Sequence, residues 1–292
     1  MTVRDQKPLA IFLLIFTSTI WGSSFILIKK GLLVFSVEQV ALLRVLFAYS
    51  VLLPIALFHF KKYIKNYGIP LFISGITGNL IPAFLFAKAQ TQLDSGITGV
   101  LNSLTPLFTL ILGVLFFKFK LLNRHIIGIL LGLAGSVSLS LINKTGNWGS
   151  VNFYVVFVII ASMCYGFNVN YVKKHLQKIP SIRLTGMALF FIGPPAMIYL
   201  FMTDFTTRIS TLEGAWTALG YLAILGIVNT AFALVLFWRL LKITTPVVAS
   251  SVTYIIPIVA LIIGLWDGEQ IFLLHILGMA LIIAGVYIVN RR

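Results

Sequence analysis

The side chains best suited to bind a solute in this sequence are polar or aromatic, and they lie inside long apolar runs. Polar groups in a lipid-embedded helix must find a partner or water, so they usually face the interior of a helix bundle. The candidate substrate-binding residues are Trp21, Ser24, Asn79, Asn102, Tyr165, Asn168, Asn229, Thr253 and Tyr254. They predict a hydrogen-bonding, aromatic cavity that suits zwitterions such as amino acids, or neutral metabolites. The competing interpretations are a bond from Ser or Thr to the carbonyl one turn back, and ordinary packing of the aromatic rings.

Arg44 is the only strongly charged residue well within an apolar run. A charge at the centre of a bilayer costs about 2.5–3.5 kcal/mol on insertion scales, so it needs a reason to be there. Arg44 could contact a substrate anion, or it could be structural and reach outward toward Glu38 or the lipid headgroups.

Pro106 and Pro257 lie in the middle of two other runs. Each removes a backbone hydrogen bond and bends its helix, so both are candidate hinges.

Several kinds of chemistry are missing from the sequence. No Asp or Glu lies in the middle of an apolar run, which argues against a multivalent-cation pump and against a buried proton relay. Cys164 is the single cysteine, and no metal-ligand spacing, nucleotide-binding loop or nucleophile motif occurs. The sequence therefore predicts no cofactor, no metal site and no enzyme. Two mechanisms of transport stay open: facilitated diffusion, and coupling to protons through an acid at the rim of the cavity such as Glu269.

The apolar runs are long enough to be transmembrane helices. The chain of 292 residues is 59% hydrophobic and only 10% charged, which indicates an integral membrane protein. One crossing needs about 20 apolar residues. The runs are 9–28, 37–58, 68–89, 96–117, 124–142, 152–172, 182–202, 215–237, 246–266 and 271–290. The predicted fold class is all-α, with ten transmembrane helices and loops too short to form a soluble domain.

The distribution of Lys and Arg predicts the orientation. With the N-terminus in the cytoplasm, 16 of these residues fall on the cytoplasmic side and five on the outer side. Both termini are then cytoplasmic, in a multi-pass protein of the plasma membrane or bacterial inner membrane. Loops facing anionic lipid explain the net charge of +15, so no nucleic-acid partner is predicted. Lys29 and Lys30 fall on the outer side, either as structural residues or as side chains that reach the headgroups.

The sequence repeats itself at about half its length. WGSSFILIKK at 21–30 recurs as YGFNVNYVKK at 165–174, and the run 75–113 matches 226–264 after a shift of 151. The halves are 1–145 and 146–292, with five apolar runs each. Because five is odd, the second half must enter the membrane from the opposite side. This predicts two inverted five-helix repeats around a central cavity, an architecture typical of alternating-access transporters.

Four motifs occur in a fixed order along the chain. They are WGSSF in the first run, the arginine of ALLRVLFAY in the second, LNSLTPLFT in the fourth, and the Gly-Glu of DGEQIFLLHILGMALIIAGV before the last. As a set they resemble the EamA-type branch of the drug/metabolite transporter superfamily, over the whole chain. The resemblance implies ten helices in two inverted repeats, a cavity lined by spans 1, 3, 4, 6, 8 and 9, and export of small metabolites such as amino acids. One departure is Phe119, which stands where the family often has a second Glu matching Glu269.

The predicted function is a secondary transporter that exports amino acids or similar small neutral or zwitterionic metabolites by alternating access. One alternative is a lipid or lipid-linked glycan flippase of the same superfamily. The other is a membrane enzyme, for which the sequence offers no nucleophile–base pair. The predicted partners are a small-molecule substrate and membrane lipid, and the chain is expected to be a monomer or a homodimer.

Overall fold

The computed structural model describes residues 7–119, 122–141 and 152–290, which form helices and no strand. The helices are α1 (Lys7–Leu32), α2 (Val37–Ala89), α3 (Ser95–Phe117), α4 (Asn123–Ser140), α5 (Val155–His175), α6 (Ser181–Met202), α7 (Ala215–Ile243), α8 (Pro246–Trp266) and α9 (Leu273–Asn290). A short helix, Phe205–Thr211, lies between α6 and α7. The all-α class is confirmed for this part of the chain. The expected boundary at 145–146 lies outside the described residues, as do Arg4, Lys120, Lys144, Arg291 and Arg292.

Most of these helices have the length and composition of membrane spans. Seven of them, α1 to α3 and α5 to α8, are long and apolar enough to cross a bilayer. α4 and α9 contain shorter apolar stretches, Ile126–Leu139 and Leu273–Gly285. Large apolar side chains cover the outside of the bundle; Leu33 and Ile69, for example, are each 75% exposed. Such a surface is expected where lipid rather than water surrounds the protein.

Helix α2 has 53 residues, but it is not one straight rod. A Cβ on Gly186 of α6 would lie 3.3 Å from the Leu52 carbonyl oxygen, and a Cβ on Gly75 would lie 2.5 Å from the Ala188 carbonyl oxygen. Leu52 and Gly75 therefore meet positions of α6 that are only two residues apart. In a straight helix they would be about 35 Å apart. The chain must bend back on itself between Leu52 and Gly75.

Four helices are irregular at related places. A π-helical turn occupies Ile76–Leu80 in α2, and another occupies Ile227–Phe232 in α7. α3 is interrupted before Thr105, and α8 has a 3-10 turn at Ser251–Tyr254 before it restarts at Ile256. The π turns begin 151 residues apart, and so do the two restarts. Such turns change the direction of nearby side chains and often occur at functional sites.

Small residues let the helices that surround the centre approach closely. A Cβ on Gly22 of α1 would lie 2.5 Å from the Val259 Cβ, and a Cβ on Gly99 of α3 would lie 2.6 Å from the Ala260 Cβ. Both partners belong to α8. Helices with small residues at their contacts can pack almost backbone to backbone. α1 and α3 are thereby held against α8, a helix from the other half of the sequence.

Candidate substrate cavity

A cavity lies among the helices of the bundle, with about 760 Å³ of space free of protein atoms, part of which is open to the solvent. Its walls come from α1, α2, α3, α5, α7 and α8. The lining residues are Trp21, Ser24, Phe25, Ile28, Arg44, Gly78, Asn79, Phe86, Asn102, Thr105, Tyr165, Asn168, Val169, Leu234, Phe237, Trp238, Ser250, Thr253 and Ile256. Helices α4, α6 and α9 contribute none of them. Both halves of the sequence therefore build the same cavity.

The structure brings most of the predicted site residues together. Seven of the nine candidates line the cavity: Trp21, Ser24, Asn79, Asn102, Tyr165, Asn168 and Thr253. Arg44 lines it as well. Their role in binding a substrate stays a prediction, since lining a cavity is not the same as contacting a solute.

Asn229 and Tyr254 are not among the lining residues. The Asn229 amide donates hydrogen bonds to the Ile20 carbonyl and, at 3.0 Å, to the Ser23 hydroxyl. Its backbone carbonyl accepts the Trp21 indole N–H at 2.8 Å. Asn229 therefore connects α7 to α1. Both residues lie in irregular turns, π-helical for Asn229 and 3-10 for Tyr254, so side-chain directions counted along a regular α-helix do not hold there.

Arg44 is among the residues that line the cavity, and no ion pair between Arg44 and Glu38 occurs among the described residues. Its Nε donates a 2.9 Å hydrogen bond to the Thr230 hydroxyl oxygen. Thr230 in turn donates to the Leu225 carbonyl at 2.9 Å, a contact across the π turn of α7. The guanidinium also lies beside the Tyr165 hydroxyl. None of the ion pairs among the described residues includes Arg44.

Aromatic rings form much of the apolar wall. The rings of Phe86 and Tyr165 stack with centroids 5.8 Å apart. On the opposite half, Phe237 contacts both Trp21 and Trp238, with centroids 5.0 Å apart in each pair. Phe86, Phe237 and Trp238 were missed from the sequence, because an aromatic residue that faces a cavity looks the same as one that faces lipid.

The polar wall consists of amides and hydroxyls. The Ser24 and Thr253 hydroxyls donate to carbonyls three residues earlier, as the competing interpretation expected. Asn102 accepts a 3.3 Å bond from Thr105. Asn168 is 2% exposed, and its Oδ1 atom has no hydrogen-bond partner among the described residues. A buried acceptor without a partner is costly, and this oxygen is shielded from the cavity space as well, so a donor on a solute would reach it only after the side chains around it move.

Pro106 and Pro257 each stand at the start of a helical segment that follows an interruption. Pro106 is the second residue of Thr105–Phe117, and Pro257 is the second residue of Ile256–Trp266. Proline is well tolerated there, because the first residues of a helix have no intrahelical partner for their N–H groups. The interruptions in α3 and α8 lie beside Asn102 and Thr253. Motion about these points stays a prediction.

An ion cluster of Lys29, Lys30, Asp267 and Glu269, here called the Lys29 cluster, lies next to the cavity, because Lys29 directly follows the lining residue Ile28. Lys29 Nζ lies 2.8 Å from Asp267 Oδ2 and 2.9 Å from Glu269 Oε1, and Lys30 also pairs with Asp267. The two lysines are thus structural and do not reach for headgroups. The sequence did not reveal this pairing, because the partners lie some 240 positions apart.

Glu269 also binds the N-terminus of α3. Its carboxylate accepts hydrogen bonds from the backbone N–H groups of Ser95 and Gly96, both at 3.0 Å, and from the Ser95 hydroxyl. A carboxylate is favourable at this end of a helix. Burial alone would raise the pKa of Glu269, but the bonds from Ser95, Gly96 and Lys29 outweigh it and hold that pKa below its usual value. Glu269 is therefore held ionised in this arrangement.

The opposite end of the bundle is held by neutral acceptors. Lys173, which matches Lys29 in the sequence repeat, donates to the carbonyls of Leu241 and Thr244 at 2.8 Å each. Lys242 donates to the Ile179 carbonyl. No carboxylate pairs with these two lysines in the part of the chain that the structure describes. The two ends of the cavity thus differ in their chemistry.

A bundle of long apolar helices with an apolar outer surface and a central cavity lined by amides, hydroxyls and aromatic rings is consistent with an integral membrane protein that binds a small solute. The model of the EamA-like transporter family matches this chain twice, at residues 8–141 and 152–291. The chain belongs to the EamA-like transporter family.

Several described proteins are similar along nearly their whole length. One, from Archaeoglobus fulgidus, is named an uncharacterized transporter; it is 28% identical over 94% of this chain and 96% of its own. YedA of Escherichia coli, named an uncharacterized inner membrane transporter, is 28% identical over 99% of this chain and 93% of its own. A protein of Streptantibioticus cattleyicolor, named a probable terminal-alkyne amino-acid exporter, is 26% identical over 97% of this chain and 94% of its own.

The fold is also found among solved structures. One crystal structure of a protein superimposes with a TM-score of 0.59 at 18% identity, covering 95% of each chain. At that identity the likeness concerns the fold alone.

Proposed function

We propose that this chain is a secondary transporter that exports amino acids or similar small neutral or zwitterionic metabolites by alternating access. The observation that carries the proposal is the central cavity, because both halves of the chain line it with amides, hydroxyls and aromatic rings. A site of this kind near the middle of a repeat protein is typical of secondary transporters. The name of the Streptantibioticus cattleyicolor relative, an amino-acid exporter, supports the same substrate class.

We propose ten membrane passes, with α2 counted as two. Contacts between loops and helix ends support this number. Arg208 donates to the Val34 carbonyl at 2.8 Å, and Lys29 pairs with Glu269. Each contact requires both partners on one side of the membrane, and hence an even number of passes between them. If α2 is two passes, six passes lie between Val34 and Arg208; if α2 is one pass, five do, which is inconsistent with the contact.

The opposite side has its own set of contacts. Arg183 donates to the Tyr63 hydroxyl at 3.2 Å, and Lys173 donates to the Thr244 carbonyl at 2.8 Å. With ten passes these four residues share one side, and the residues of the previous set share the other. The lysine-rich side, near Tyr63 and Lys173, is then the cytoplasmic one, and both termini are cytoplasmic.

We also propose that the two halves are inverted repeats, 1–145 and 146–292. The support comes from the irregular turns, which recur 151 residues apart, and from the two separate matches to the family model. Five passes per half place the second unit upside down relative to the first. We place the chain in the bacterial inner membrane, as a monomer or homodimer surrounded by lipid, with no nucleic-acid partner.

Release of solutes from liposomes tests the proposed function. The purified chain is reconstituted into liposomes loaded with a mixture of amino acids and a cell metabolite extract, and the released compounds are identified by mass spectrometry. We expect faster release of a subset of amino acids or similar metabolites than from empty liposomes. Asn102→Ala, in the cavity wall, should slow that release by about tenfold, which corresponds to roughly 1.4 kcal/mol.

Asn66→Ala is the matched control, because Asn66 is exposed and distant from the cavity. It should behave like the wild type. Release no faster than from empty liposomes would contradict the proposal, and so would equal rates for the two variants. Movement of labelled lipid between leaflets without release of any solute would favour the flippase.

A further inference from the structure

The lining of the central cavity includes a positively charged side chain but no negatively charged one. Arg44 is among its lining residues, while no Asp or Glu is. No described carboxylate pairs with Arg44. A charge in apolar surroundings is costly without a counter-charge, because it has lost much of its hydration. A bound anion would supply what the protein side chains around Arg44 do not.

The guanidinium is fixed in direction. Its Nε atom is used by Thr230, and the Thr230 hydroxyl hydrogen is used by the Leu225 carbonyl, so Thr230 can only accept from Arg44. The two Nη groups carry the remaining donors, and the Tyr165 hydroxyl beside the guanidinium takes only part of them. Arginine binds carboxylates through such pairs of parallel N–H groups, which gives stronger bonds than neutral partners do.

The cavity lining includes no carboxylate that could pair with an ammonium group, and its aromatic rings offer only the weaker cation–π attraction. The Asn168 Oδ1 atom has no hydrogen-bond partner among the described residues, but it is neutral and buried. An amide oxygen can accept a hydrogen bond from an amine or a hydroxyl equally well, and it adds no charge pairing. Recognition of a solute should therefore depend on its carboxylate far more than on its amine.

The remaining surface suits an apolar tail. Phe25, Phe86, Phe237 and Trp238 line the cavity, and their rings are in contact with one another in pairs. Aromatic rings prefer stacked or edge-to-face contacts with other rings, and they bury large apolar areas. A solute with a phenyl or branched aliphatic tail would exclude water from this wall.

We propose that the cavity recognises organic monocarboxylates with an apolar or aromatic tail, that Arg44 binds the carboxylate, and that an amino group on the solute is dispensable. This inference rests on the proposed transport function and narrows its substrate class. It extends that class from amino acids to the corresponding acids without the amine.

Four compounds with the same phenyl tail test the inference: 3-phenylpropanoate, phenylalanine, 3-phenylpropanamide and 2-phenylethylamine. Binding to the purified chain is measured by the change in tryptophan fluorescence, since Trp21 and Trp238 line the cavity. We expect 3-phenylpropanoate to bind at least as tightly as phenylalanine. The amide and the amine should bind about tenfold more weakly or worse, because the amide is neutral and the amine is a cation, so neither offers a negative charge to Arg44.

Substitutions of Arg44 test whether its guanidinium causes the preference for the carboxylate. Arg44→Gln should abolish the difference between 3-phenylpropanoate and its amide. Arg44→Lys keeps the charge but loses the paired donors, so it should keep the order of affinities with weaker binding of the acid. Arg239→Gln is the control, because Arg239 is exposed on α7 and is not among the lining residues, and it should match the wild type.

The wild-type order alone can overturn the inference, even if Arg44→Gln fails to fold. Equal or tighter binding of the amide or the amine would do so, as would phenylalanine binding without 3-phenylpropanoate binding. Failure of all four compounds to bind would also overturn it. The proposed export of metabolites is judged separately by the release assay, which uses no phenyl probe set and can succeed where this inference fails.

Discussion

Replacing Glu269 by Gln should destabilise the chain, because this carboxylate connects three parts of the bundle. Its side chain is 3% exposed and accepts bonds from Lys29, Ser95 and Gly96. Removing one partner of a buried ion pair costs about 3–5 kcal/mol. Lys29 is 31% exposed and keeps Asp267, and Gln can still accept one backbone N–H, so we expect a loss of about 2–3 kcal/mol.

The assay is equilibrium unfolding of the purified chain in detergent, followed by circular dichroism. Glu213→Gln is the matched control, since Glu213 is exposed and makes the same chemical change elsewhere. Exposed substitutions usually change stability by less than about 0.5 kcal/mol. If Glu269→Gln were as mild as Glu213→Gln, the Lys29 cluster would not hold the bundle together as described.

The pH dependence gives a second test of the same residue. The pKa of Glu269 is held below its ordinary value of 4.5, so its stabilising contribution is complete above pH 4.5. The contribution is lost as the pH falls through the lowered pKa of the folded state. The difference between the wild type and Glu269→Gln should therefore be full at pH 7 and should shrink in acid. A difference that grows as the pH falls would refute this.

Two further predictions concern packing and the support of Arg44. Gly135→Val should destabilise the contact of α4 with α9 by about 1–3 kcal/mol, because a Cβ there would lie 2.6 Å from the Gly278 carbonyl oxygen. Gly220→Val, where nothing lies within 4 Å, is the control for helix propensity, and similar losses at both positions would contradict the packing. Thr230→Val should cost about 1–3 kcal/mol because Arg44 Nε loses its acceptor, whereas Thr230→Ser should be near neutral; unfolding in detergent measures both.

The sequence predicted the neutral polar part of the cavity well, for a physical reason. An Asn such as Asn79 or Asn102 is costly in lipid, so its presence in an apolar run indicates a partner or water. Asn229 obeys the same rule, but its partners are the Ile20 carbonyl and the Ser23 hydroxyl. The sequence cannot tell an amide that bonds to a neighbouring helix from one that faces the cavity. It also cannot tell an aromatic ring in the cavity wall from one that faces lipid.

The features that the sequence could not reveal depend on distant contacts or on local irregularity. Arg44 turns inward because a π turn in α7 presents the Thr230 hydroxyl to it, and no periodic pattern predicts a π turn. Lys29 finds Glu269 only after the two halves have packed against each other. The ten apolar runs were visible in the sequence, whereas in the structure the second and third form one helical range that bends back on itself.

Accessibility of a cavity residue from each side of the membrane tests the central claim most directly. A cysteine replaces Ser24 in a Cys164→Ser background, and a membrane-impermeant thiol reagent is applied to right-side-out and to inverted vesicles. Leu130→Cys is the control, because Leu130 is 62% exposed on the outside of the bundle, where we expect lipid. Labelling of the Ser24→Cys variant from both sides, with none at position 130, is the result expected of a cavity that opens to each side in turn. Labelling of that variant from one side only, or from neither, would contradict alternating access through this cavity.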